Sequence, residues 1–73
     1  MADKFNADAF LRENWGDAAT LTRFLRAYGH DVDRATVGMW FNRGRLPTEW
    51  GMVLLALMEV ETGQAPSTAK YLL

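Results

Sequence analysis

The chain has 73 residues, 49% of them apolar, with three tryptophans; this is material for one small core and one domain over residues 1–73, near the size at which oligomerisation often adds support. It has no cysteine, which excludes disulfides and thiolate metal sites and fits an intracellular, cytoplasmic protein. The net charge of −1 argues against a purely electrostatic binder of polyanions.

Met1 to Phe5 is expected to fray. Its surroundings, MADKFNADAF, contain no apolar stretch of the signal-peptide kind. Asn6 is placed to cap a first helix reaching about Trp15, with Asp8 in the first turn, where a negative charge suits the helix dipole. Phe10, Leu11 and Trp15 form its buried side, and Gly16 stops it.

Asp17 caps a second helix, Ala18 to Tyr28, whose stripe of Ala18, Leu21, Leu25 and Tyr28 is spaced by three, four and three. Phe24 widens that stripe. Thr20, Thr22, Arg23 and Arg26 are assigned to the other side, where the arginines either meet a polyanion backbone or face water. Gly29 ends the helix, His30 to Val32 form a turn, and Asp33 or Asp31 caps the next helix. His30 is the only histidine; with no catalytic partner or companion ligand beside it, a turn or packing role is expected.

A third helix runs from Arg34 to about Arg43. Val37, Trp40 and Phe41 fall at i, i+3 and i+4 and anchor one face to the core. Trp40 and Phe41 would serve otherwise as stacking platforms for single strands, but their register with Val37 favours packing. Gly38 costs a helix interior roughly 1 kcal/mol relative to alanine. Tolerated drift, a close helix crossing and a close approach by something outside the chain all remain open as its reason.

Gly44 stops the third helix, and Pro47 starts a fourth that runs to about Thr62, with Glu49 in its first turn and Gly63 at its end. From Trp50 to Met58 it is apolar nearly all round, which leaves surface to hide. The longest apolar run, Gly51 to Met58, is far short of the roughly 20 residues that span a membrane. Gln64 to Ser67 is linker-like; Ser67 is placed to cap a last turn, and Tyr71, Leu72 and Leu73 are free to fold back. Either this tail or a second copy of the chain covers the fourth helix, and a tail docking across a dimer satisfies both.

Positive charge is concentrated in the middle. Residues 1–16 carry two basic and three acidic side chains, residues 17–46 five arginines against three aspartates, and residues 47–73 Lys70 against three glutamates. No phosphate-cradling glycine loop, catalytic carboxylate pair or metal-ligand spacing occurs, so no enzyme, cofactor or small-molecule substrate is expected.

Two short helices, a glycine turn, a V-x-x-W helix and the exit R-G-x-L-P ahead of an apolar helix resemble the Cro-like helix-turn-helix proteins of phages and prophages. The residues that carry the likeness are Leu21 to Gly29, then Val37 and Trp40, then Arg43-Gly44-Arg45-Leu46-Pro47. It covers roughly residues 7–63, with 64–73 as a C-terminal tail. Two departures stand out: the turn from Gly29 to Val32 is about two residues longer than the family's, and Leu25 stands where the family prefers alanine.

The resemblance implies an all-α domain of four to five helices, of the lambda-repressor or Cro-like type, acting as a homodimeric transcription regulator in a bacterial nucleoid or phage-infected cell. It implies double-stranded DNA as the partner, with the third helix in the major groove. Arg34, Thr36, Gly38, Met39, Asn42 and Arg43 would face the bases; Arg23, Arg26 and Arg45 would meet phosphates. The alternative from another class is a helical protein-interaction module of the same shape that binds no DNA.

Overall fold

The computed structural model describes residues 5–66 and 69–71. Among these residues the regular structure is helical: α1 (Ala7–Asn14), α2 (Ala18–Ala27), α3 (Arg34–Arg43), α4 (Thr48–Thr62) and a closing 3-10 turn, Ala69–Tyr71. The domain is all-α. No helix among the described residues is long and apolar enough to cross a membrane.

Each start and stop has a local cause. Asn6 caps α1, its Oδ1 accepting from the Ala9 amide at 3.1 Å, and Asp8 pairs with Arg12 one turn on at 2.8 Å. Asp17 caps α2, accepting from the Thr20 amide at 2.8 Å. That bond, then the Thr20 hydroxyl, and further the positive fields of Arg23 and Arg34 hold the Asp17 carboxyl below its ordinary 3.8.

At the exit of α2, one residue earlier than its periodicity suggests, the amides of Gly29 and His30 return to the carbonyls of Arg26 and Leu25 at 3.0 and 2.9 Å. This six-to-one, five-to-two closure needs a left-handed residue, and Gly29 supplies it at φ +86°.

Three sequence expectations are corrected here. Thr22 is buried rather than outward: it lies next to Leu25 on the helical wheel, and its hydroxyl donates to the Ala18 carbonyl at 2.7 Å, so its polar group enters the interior satisfied. Asp33 occupies the cap position of α3 but its side chain makes no capping bond; its carbonyl, accepting from the Val37 amide at 3.1 Å, starts the helix. Pro47 precedes α4 as its cap instead of opening it, because its ψ of 141° is extended.

The core gathers Phe10 and Leu11 of α1, Leu21 and Leu25 of α2, Val32 from the turn, Val37, Trp40 and Phe41 of α3, Leu54 of α4, and Tyr71. Half-buried Trp15 and Phe24 flank it, their rings 5.5 Å apart. α3 packs on both α2 and α1, and Trp50 brings α4 beneath it, 5.5 Å from the Trp40 ring and 5.8 Å from His30. His30 is therefore in a packing contact. The Tyr28 hydroxyl donates to Glu61, which ties the end of α2 to the end of α4 and raises the tyrosine pKa.

Phe5 is not frayed. Its ring meets Phe10 at 5.2 Å and Tyr71 at 6.0 Å, and the next amide, Asn6, donates to the Tyr71 carbonyl at 2.6 Å. Tyr71 folds back as expected, though onto α1 rather than α4. Its hydroxyl donates to Glu13 at 3.0 Å and accepts from Asn14 at 3.3 Å. On α4 only Leu54 is fully buried, and Met52 and Val60 stay 67% and 70% exposed. The fraying expected of residues 1–4, the cap expected of Ser67 and the positions of Leu72 and Leu73 lie outside the described residues.

Candidate nucleic-acid interface

With Val37, Trp40 and Phe41 turned inward, the rest of α3 is left as surface. Arg34, Ala35, Thr36, Met39, Asn42 and Arg43 are exposed, and Gly38 is half-buried among them. The six positions expected to face bases thus lie on one helix surface, with Ala35 between them.

Of the explanations for Gly38, the close helix crossing is removed. Its φ is ordinary, and a Cβ built on it would meet nothing within 4 Å. No neighbouring helix among the described residues requires the glycine. Tolerated drift and close approach by something outside the chain both remain compatible with that open space.

The basic side chains surround α3 in three places. Arg23 and Arg34 both act on Asp17 electrostatically, which puts them at the α2 entrance. Arg26 sits apart, at a shallow hollow beside the α2–α3 turn with Gly29, His30 and Asp31. Arg43 and Arg45 line the exit of α3. All five are exposed. Among the described residues the ion pair found is that of Arg12 with Asp8, so none of these five arginines is paired with a described acid.

The exit geometry comes from the R-G-R-L-P stretch. Gly44 is left-handed at φ +62°, and a Cβ there would stand 3.4 Å from the Asp8 Cβ. The Trp40 carbonyl accepts from the Gly44 amide and, at 3.2 Å, from the Arg45 amide, which closes the helix and turns the chain away. The result is an open cleft of about 640 Å³ lined by Met39, Trp40, Arg43, Arg45, Leu46 and Pro47. Sequence reasoning did not foresee this cleft, because it forms only where the exit loop passes beside the last turn of α3. Its signal was present in the two arginines bracketing Gly44.

Chemically, the surface offers guanidinium donors at its ends and an amide, a hydroxyl and a thioether between them. That set can bind oxyanions and read the donor and acceptor edges of bases. No family model, curated protein or solved structure matches the chain.

Proposed function

We propose that this protein is a sequence-specific double-stranded DNA-binding regulator of the Cro or repressor type that lays α3 in the major groove as a helix-turn-helix with α2. The observation that carries the reading is the outward surface of α3: base-reading side chains are exposed on one helix, and exposed arginines around it make no ion pair among the described residues. Arg34, Thr36, Gly38, Met39, Asn42 and Arg43 face bases, with Asn42 suited to adenine and Arg43 to guanine. Arg23, Arg26 and Arg45 hold phosphates.

A homodimer completes the reading, setting two α3 helices about 34 Å apart, one turn of DNA. The exposed Met52 and Val60 on α4 offer apolar surface for the second copy.

The test is an NMR titration of labelled protein with random duplex at low salt, repeated as salt rises. Shifts confined to residues 34–45 and to the phosphate contacts Arg23 and Arg26 of α2, with affinity falling by a log–log slope of about −0.9 per phosphate contacted, are expected. Replacing Arg23, Arg26 or Arg45 by alanine should reduce that slope by about 0.9 for each phosphate the variant no longer holds, and saturation should come at two chains per duplex. A folded protein whose α3 resonances stay still would move the weight to the protein-interaction module, whose apolar contacts respond little to salt.

Gly38→Ala separates fold from function. Alanine removes a helix-interior glycine where a Cβ meets open space, so the variant should be more stable by about 0.8–1.0 kcal/mol, seen as a higher unfolding midpoint in urea. In the same preparation DNA affinity should fall. A variant that gains stability and binds DNA as before would show that nothing approaches the backbone there.

A further inference from the structure

We infer that the outward row of α3 formed by Ala35, Met39 and Asn42 reads thymine–adenine base pairs, with Met39 against the thymine methyl group and Asn42 on adenine; the inference rests on the DNA-binding reading above. At 100° per residue the three positions fall within about 60° of one another, and all three are exposed. The row carries no charge. Arg34 and Arg43 stand to either side of it.

Met39 is the unusual member. The other large apolar side chains of α3, Val37, Trp40 and Phe41, are at most 7% exposed, whereas Met39 is 46% exposed. Met39 lines the exit cleft beside Trp40 and Arg43 while remaining exposed to solvent.

The chemistry of the groove then selects the base pair. A thioether offers guanine no donor and is a poor acceptor for the cytosine amino group, so it gains chiefly by covering an apolar group, and thymine presents one, its C5 methyl. The amide of Asn42 matches the N7 acceptor and N6 donor of adenine. Gly38, within one turn of all three, adds no side chain to hold the row away from the base edges.

The experiment selects tight-binding duplexes from a random library and replaces their thymines one at a time by deoxyuridine, which removes the methyl and leaves every hydrogen-bonding group. The wild-type protein is expected to lose about four-fold in affinity at one or two positions of each half-site, the worth of one buried methyl. Met39→Ala should bind the thymine and deoxyuridine duplexes equally at those positions. If deoxyuridine costs nothing anywhere, or if Met39→Ala keeps the preference, the inference is overturned while DNA binding stands. If no duplex is selected and binding shows no salt dependence, the DNA reading falls as well.

Discussion

Asn42→Ala combined with Arg43→Ala is expected to leave a folded protein that no longer distinguishes its operator from random DNA. Both side chains are exposed, and neither takes part in a hydrogen bond or ion pair among the described residues. The structural cost is therefore small: Arg43 lies in the last turn of α3, where its charge contributes about 0.3–1 kcal/mol through the helix dipole. The functional cost is large. Two bidentate base contacts on the order of 1–3 kcal/mol each correspond to a loss of about thirty-fold at the least and on the order of ten-thousand-fold at the most. Fluorescence anisotropy with selected and scrambled duplexes measures it, and circular dichroism checks the fold. Unchanged specific affinity in the double variant would remove these residues from the reading surface.

The second large effect is on stability. Tyr71→Ala is expected to leave the protein largely unfolded at 25 °C. The side chain is 4% exposed and stacks edge-on to Phe10 at 5.4 Å, and its hydroxyl joins Glu13 and Asn14. Truncating a buried ring of this size costs about 3–5 kcal/mol, as much as a core in a domain this small supplies. Tyr71→Phe keeps the ring and loses the hydroxyl bonds, for about 0.5–1.5 kcal/mol, and should stay folded with a lower midpoint. Urea titrations of the two variants read packing and hydrogen bonding separately. A Tyr71→Ala protein with the parent's midpoint would mean that the closing turn does not brace α1.

The helices were legible in the sequence because their signals are local. Asn6, Asp17, Gly29, Gly44 and Gly63 mark starts and stops through geometry within one or two turns, and the 37/40/41 spacing picked out the buried face of α3, which runs Arg34–Arg43 where it was expected from Arg34 to about Arg43. The candidate surface was legible for the same reason, as the complement of that spacing.

What escaped was set by width or by distance along the chain. Periodicity locates the centre of a buried stripe but not its edge, and Thr22 fell inside the edge because its hydroxyl could bond to its own helix. Phe5 is a single aromatic residue in polar surroundings, and for Tyr71, expected to fold back, what escaped was its destination on α1; the two rings meet from opposite ends of the chain, which no local pattern encodes. The uniform apolarity of α4 foretold uncovered surface, but that Met52 and Val60 would carry it required knowing where the tail goes. That no described helix crosses close to Gly38 was visible only in the space around it.

The contact of Tyr71 with α1 also orders the protein's birth. Its hydroxyl partner Asn14 lies 57 residues earlier in the chain, and at about 5–20 residues per second a ribosome takes roughly 3–11 s to add that length. Until then Phe10 lacks one of the three rings packed around it. A chain cut short of residue 71 therefore exposes part of the Phe10 ring that the longer chain hides.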